Sequence, residues 1–161
     1  MADKLFISVL GHRDSGKSIT WNTLFGATVR TGKHSRPLEV MPGKYVDVFL
    51  VSGSSEERGK YVGDIITDPD AKIVLCSVQY IKSALDTYTF AFDNGYEIHT
   101  QWLNPGHSDT SYYFDSLGFT NILLSDDHTM SIRDGKKDPS HRVNEIRDKI
   151  IGWSMPRGLI R

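Results

Sequence analysis

Leu5-Phe6-Ile7-Ser8-Val9-Leu10 runs straight into Gly11-His12-Arg13-Asp14-Ser15-Gly16-Lys17-Ser18, and Lys17 to Phe25 continues as a helix-like segment that Gly26 is placed to end. The first six residues have the apolar, β-branched and aromatic make-up of a buried strand. The next eight fit the pattern G-x-x-x-x-G-K-[ST] without a mismatch. Glycines let the backbone wrap closely around an anion, and successive N–H groups then point inward as a nest. A helix starting near Gly16 adds unsatisfied N–H donors and the positive end of its dipole. In that chemistry Lys17 reaches the β and γ phosphates of a nucleotide, and the Ser18 hydroxyl ligates Mg²⁺. The expected phosphate cradle comprises Gly11, His12, Arg13, Asp14, Ser15, Gly16, Lys17, Ser18 and Ile19, with the N–H groups of residues 13 to 18 facing the ligand.

Strand-like and helix-like segments alternate outward from this loop. Tyr45 to Val51 reads as a second strand closed by Ser52-Gly53, after which Ser54 or Ser55 caps a helix with Glu56 and Glu57 in its first turn. Asp68-Pro69-Asp70 reads as a turn and Ile73 to Val78 as a third strand. Residues 80 to 93 place Ile81, Leu85, Tyr88 and Phe92 at helical spacing, and Asn94-Gly95 stops them. Tyr96 to Leu103 reads as a strand ending at Asn104-Pro105-Gly106, followed by a short aromatic helix (Tyr112, Tyr113, Leu117) and a strand over Thr120 to Leu124. A polar stretch from Ser125 to Ser140 precedes a final amphipathic helix carrying Val143, Ile146, Ile150 and Ile151. The alternation predicts an α/β fold, three layers with a mainly parallel sheet flanked by helices. Ligands of such sheets sit where the loops gather at the carboxyl ends of the strands.

The loop and its context resemble the P-loop NTPase superfamily, the Walker A class; the specific match covers Lys4 to about Gly26. Gly16 to Gly26 also looks like the corresponding helix of small GTP-binding domains, in which Asn-x-Leu-Phe-Gly follows. A GTPase would further show Asn-Lys-x-Asp near Thr100-Gln101-Trp102-Leu103 and Asp-x-x-Gly near Val51-Ser52-Gly53-Ser54, and neither is present. ATP is therefore expected ahead of GTP. A classical ATPase would end an apolar strand on an acidic residue, but Val51-Ser52 and Cys76-Ser77 end in small polar ones. Asp126 and Asp127 come late and read as a solvated turn, while Asp47, Asp64 and Asp14 are weaker candidates for that carboxylate.

Small nucleoside and nucleotide kinases resemble the chain best in size and in what they lack, and the likeness implies loop arginines that neutralise the transferred phosphate. Arg36 in the stretch Arg30 to Arg36, Arg58, and Arg142 beyond Arg133-Asp134-Gly135-Lys136-Lys137 are the candidates to join Lys17 in catalysis. Each also reads as an ordinary surface charge. The first stretch follows the loop helix directly, where small kinases bind the acceptor and GTPases carry a switch. The second lies where many small kinases contact the base, and Gly32, Gly43 and Gly135 would permit a closing lid.

Composition bounds the rest. With 161 residues the chain is expected to form one domain over 1–161. Nineteen Lys and Arg against 20 Asp and Glu give a net charge of -1, which excludes a general nucleic-acid coat. A single cysteine, Cys76, excludes a disulfide framework, and no apolar run approaches the roughly 20 residues of a membrane span. A soluble, cytoplasmic protein is expected. The six histidines show no ligand spacing and read as structural or surface groups. Cys76 reads as a buried thiol, and Trp102 and Tyr112-Tyr113-Phe114 as core rather than base-stacking groups. Trp153 to Arg161 reads as a segment that docks on the body or on a second subunit. The expected activity is ATP/Mg²⁺-dependent phosphoryl transfer to a small phosphorylated or nucleotide acceptor. An NTP hydrolase switch and a nucleotide-binding regulator without turnover are the alternatives.

Overall fold

The computed structural model describes residues 3–12, 15–68, 70–103, 117–125, 128–135 and 137–161. Along the chain run β1 (Lys4–Gly11), α1 (Lys17–Phe25), β2 (Arg36–Met41), β3 (Lys44–Val51), α2 (Ser55–Arg58), α3 (Val62–Ile65), β4 (Ile73–Gln79), α4 (Ala84–Asp93), β5 (Tyr96–Leu103), α5 (Phe119–Leu123), β6 (Thr129–Arg133) and α6 (Ser140–Ser154). The six strands form one sheet in the order β2-β3-β4-β1-β5-β6. Four pairings are parallel, and only β2 runs against its neighbour β3. The parallel pairs follow from long connections that carry helices, whereas β2 and β3 are joined by the tight turn at Pro42-Gly43.

Strand alternation divides the core between the two faces of the sheet. Leu5, Ile7 and Val9 of β1 pack with Trp21 and Leu24 of α1 and with Val143, Ile146, Ile150 and Trp153 of α6. Phe6 and Leu10 face the other way, against α3, Tyr88 and Ala91 of α4, and Phe119 and Leu123 of α5. Ser8, inside the sheet, is paired: its Oγ bonds Thr100 Oγ1 at 2.7 Å and Tyr88 Oη at 3.0 Å. Trp21 is wholly buried and donates from Nε1 to Ser77 Oγ at 2.8 Å. Helix α1 has no side-chain cap. Full burial of a large apolar side chain contributes about 1.5–3 kcal/mol against ~1 kcal/mol for a cap, so packing of Trp21 seats this helix.

Four expectations are corrected. Thr120 to Leu124 is not a strand: α5 spans Phe119–Leu123. A short apolar run does not declare its period, and here Phe119 and Leu123, four residues apart, are both buried. The polar stretch from Ser125 to Ser140 contains β6, an edge strand paired with β5 whose residues are all partly or fully exposed, so it lacks an apolar signal. The basic loop ending at Arg36 passes directly into β2, an edge strand that buries Leu38 and Val40 and accommodates Pro37. Residues 80 to 83 precede rather than begin α4. The aromatic helix expected around Tyr112, Tyr113 and Phe114 lies outside the described residues. The segment after α6 returns to the body, where Arg161 exchanges two backbone hydrogen bonds with Tyr45, 2.7 and 2.9 Å long. Among the described residues no helix is long and apolar enough to cross a membrane.

Candidate functional site

β1 lies inside the sheet and delivers Gly11 to the edge where the parallel strands end and the loops gather. The chain then turns, with Ser15 N donating to His12 O at 3.2 Å, and enters α1 through Gly16 at φ 105°. Only glycine fits comfortably at that angle. Space forbids a side chain as well: a Cβ on Gly16 would stand 2.4 Å from Gly135 O, and one on Gly11 would stand 2.3 Å from Ser15 Oγ. Arg13 and Asp14 lie outside the described residues. Ser18 and Ile19 are exposed at the start of α1. Lys17 is buried and folds back over its own loop, donating to Gly11 O at 3.0 Å and His12 O at 2.8 Å. His12 meets the edge of Tyr80 with centroids 5.6 Å apart, and Tyr80 stacks on Trp102 at 4.9 Å.

A cavity of about 740 Å³ opens at this point. It is lined by Gly16, Lys17, Ser18 and Ile19, by Gly135 and Lys137 to Pro139, and by Ser52 and Glu57. Gly135 and Lys137 of the second basic stretch thus line the same cavity as the loop. Two further depressions continue from the cavity. One of about 550 Å³ shares Ser18 and Ser52 with it and adds Arg30, Thr31 and Arg58. The next, about 580 Å³, shares Thr31 and Arg58 and adds Lys33, Lys60, Tyr61 and Asp64. Thr31 holds this junction by accepting from Ser52 N at 3.0 Å.

The three candidate arginines are placed differently. Arg58 is exposed and lines both outer depressions. Arg36 donates to Arg30 O at 2.7 Å and lies over the Phe25 ring, and it lines neither the cavity nor the two depressions. Arg142 is buried, with its guanidinium spread over Thr20 Oγ1 at 3.2 Å, Gly16 O at 3.3 Å, and the carbonyls of Asp134 and Lys137 at 3.4 Å. Burial lowers its pKa, opposed by the charges of Asp134 and Asp138. Arg142 therefore clamps α6 and the 134–137 loop onto the start of α1.

Among the carboxylates, Asp47 pairs with Arg161 at 2.7 Å on the exposed side of β3, Asp64 lines the outer depression, and Asp126 and Asp127 lie outside the described residues. Among the described residues Glu57 meets Lys17, with Oε1 3.4 Å from Nζ. Sequence reasoning placed Glu57 only as a first-turn acid. Its approach to Lys17 depends on β3 ending two strands from β1 and on the cap that Ser54 Oγ gives Glu57 N. Glu56 beside it points elsewhere, bonded to Ser55 and Thr87, and burial raises its pKa.

Ser18, Ser52 and Glu57 offer oxygen donors among the residues that line the cavity. Among the described residues no group of three or more His, Cys, Asp or Glu gathers into a metal cage. One carboxylate and hydroxyls suit Mg²⁺, which keeps waters and substrate oxygens as its other ligands. Cys76 is buried and burial pushes its thiol well up; Trp102 is buried in the core. His99 and His128 bond within the β5–β6 region, to Thr129 and to Ile98 N. No model of a known protein family matches the chain, and no curated protein matches it.

Proposed function

We propose that the chain is a P-loop nucleoside-triphosphate-binding protein that moves the γ-phosphoryl group, with ATP and Mg²⁺ as donor and a small anionic acceptor. The observation that carries this reading is the complete Gly11–Ser18 motif set between β1 and α1, where both motif glycines stand without room for a side chain and Lys17 and Ser18 face a 740 Å³ cavity. On this reading the fold is the three-layer arrangement of that superfamily. Loop N–H groups and the start of α1 cradle the phosphates, and Lys17 stabilises charge that develops on the γ oxygens. Ser18 Oγ would hold Mg²⁺, with Glu57 close by; the ion, when bound, neutralises charge on the β and γ oxygens. The acceptor belongs in the depressions that continue past Arg58 towards Lys33 and Lys60. An acceptor oxygen attacks the γ phosphorus, the bond to the bridging oxygen breaks, and the nucleoside diphosphate leaves. Arg142 acts here as a positioning residue for Gly16.

Glu57 favours a second reading, in which a carboxylate beside Lys17 orients water and the chain hydrolyses the nucleotide. Nucleotide consumption measured with and without a panel of nucleoside monophosphates separates the two. Acceptor-dependent turnover supports transfer, turnover indifferent to every acceptor supports hydrolysis, and tight binding without turnover supports a regulatory binder. Lys17→Ala is expected to weaken triphosphate binding at least about tenfold while circular dichroism is unchanged, since a charge-assisted contact to phosphate is lost. Unchanged affinity for ATP and GTP would refute the assignment.

A further inference from the structure

The Lys17 ammonium carries three hydrogens. Among the described residues its acceptors include Gly11 O at 3.0 Å, His12 O at 2.8 Å and Glu57 Oε1 at 3.4 Å. A phosphate oxygen that takes up Lys17 competes with these acceptors for its hydrogens. The two carbonyls belong to the loop itself and lie closer. Glu57 is the longer contact and the more movable group, with its side chain 32% exposed against 7% for Lys17.

The backbone that carries Glu57 is held from both sides. Ser54 Oγ caps Glu57 N at 3.2 Å, and neighbouring Glu56 is tied to Ser55 Oγ at 2.9 Å. Gly59 closes the single turn of α2 with φ 64°. Displacement from Lys17 consequently turns the Glu57 side chain without carrying its charge out of the cavity that it lines. An incoming phosphate then meets a carboxylate within a few ångströms, and like charges at that range repel strongly. A divalent cation lying between carboxylate and phosphate reverses the sign of that interaction.

We propose that Glu57 is the specificity-determining residue that makes the Gly11–Ser18 site accept a metal-complexed triphosphate and reject the free anion, by holding Lys17 when the site is empty and repelling phosphate that arrives without a divalent cation. The proposal rests on the reading of Gly11–Ser18 as a phosphate loop. It assigns Glu57 a role in ligand selection whether the bound nucleotide is transferred or hydrolysed.

Titration calorimetry of the full chain tests it, with inorganic tripolyphosphate and ATP as separate probes, each in excess Mg²⁺ and in excess EDTA. The wild type is expected to bind either probe far more tightly with Mg²⁺. Glu57→Gln removes the charge while keeping the shape, and it is expected to bind the Mg²⁺-free probes about tenfold more tightly than the wild type, the factor equivalent to one modest charge repulsion. Its gain in affinity from Mg²⁺ should shrink correspondingly. Glu57→Asp keeps the charge on a shorter stem, and is expected to retain the discrimination against Mg²⁺-free probes.

Equal Mg²⁺-free affinities for wild type and Glu57→Gln would overturn the proposal, as would a uniform loss of affinity in both conditions, which is the signature of a merely structural role. If Lys17→Ala binds both probes as well as the wild type does, the phosphate-loop reading itself fails and the proposal falls with it. If Lys17→Ala loses binding while Glu57→Gln leaves the Mg²⁺ dependence intact, only the proposal fails.

Discussion

Gly135 shows how little room the candidate site leaves at the scale of one residue. A Cβ built there would stand 1.8 Å from Ser15 O and 3.1 Å from Leu103 Cβ, and Ser15 O is backbone that cannot rotate aside. Gly135→Ala must separate the 134–139 loop from the loop after β1. It is expected to cost about 2–3 kcal/mol of stability, in the range of overpacked core positions, and to weaken triphosphate binding. Urea denaturation paired with tripolyphosphate titration checks both. An unchanged denaturation midpoint would show that the two loops are not pressed together. The contact was not legible in the sequence: Gly135 reads there as a hinge, because the chain separating it from Ser15 says nothing about which loops meet. Arg142 is similar. Its charge marks it as a phosphate ligand, whereas its surroundings make it a clamp on Gly16 O and Thr20.

At the scale of elements, β6 depends on a charged and titratable patch shared with β5 and α6. His99 of β5 bonds Thr129 of β6, Arg133 of β6 pairs with Glu145 of α6, and Lys149 of α6 reaches Glu97 of β5 at 2.9 Å. Burial, and after it the charge of Lys149, lowers the His99 pKa to about 4 from 6.5; Arg133 acts the same way, while Glu145 and Glu97 oppose it. His141 also faces Glu145, at 3.7 Å. Between those two pKa values the unfolded chain binds a proton at residue 99 that the folded chain refuses. The His99 contribution is therefore complete above pH 6.5 and is lost as pH falls towards 4. About 1–2 kcal/mol is expected to disappear across that window, discounted for partial solvent access. Urea midpoints at pH 7 and pH 4.5 for wild type and His99→Gln check this, and the variant should have the flatter profile. Equal slopes would place the pH sensitivity elsewhere.

The same region marks where the sequence stops being informative about elements. β1 and β4 are buried on both faces, β3 and β5 over their last four residues, and all four read directly as strands. β6 sits at an edge, owes its place to ladder bonds with β5, and offers no run of apolar residues to announce it. α5 fails for the opposite reason, since its short apolar run satisfies both periods. Helices α1 and α6 were legible because Gly26 and the spacing of Val143, Ile146 and Ile150 mark an end and a face.

For the molecule as a whole, the sheet order decides what surrounds the loop after β1. Placing β4 and β5 on either side of β1 sets β3 one strand further out, so α2 reaches the loop from beyond β4 and brings Glu57 with it. On the other side β6 and the turn to α6 bring Gly135, Lys137 and Asp138. The loop sequence alone indicated phosphate chemistry. Its walls come from four separate stretches of chain whose meeting is a property of strand order, which no local pattern encodes.

The edge contact of His12 with Tyr80 and the stack of Tyr80 on Trp102 also have an optical consequence. All three tryptophans are shielded from water, Trp21 wholly, Trp102 at 3% and Trp153 at 5% exposure, so the folded chain should emit at the short-wavelength end of indole fluorescence. Of these, Trp102 is joined through Tyr80 to a residue of the candidate phosphate loop. Tripolyphosphate binding in the presence of Mg²⁺ is expected to change the emission intensity, and Trp102→Phe to remove most of that change. A response that survives in Trp102→Phe would assign the signal to Trp21 on α1. Either way, the protein carries its own reporter, and occupancy of the loop can be followed without attaching a dye.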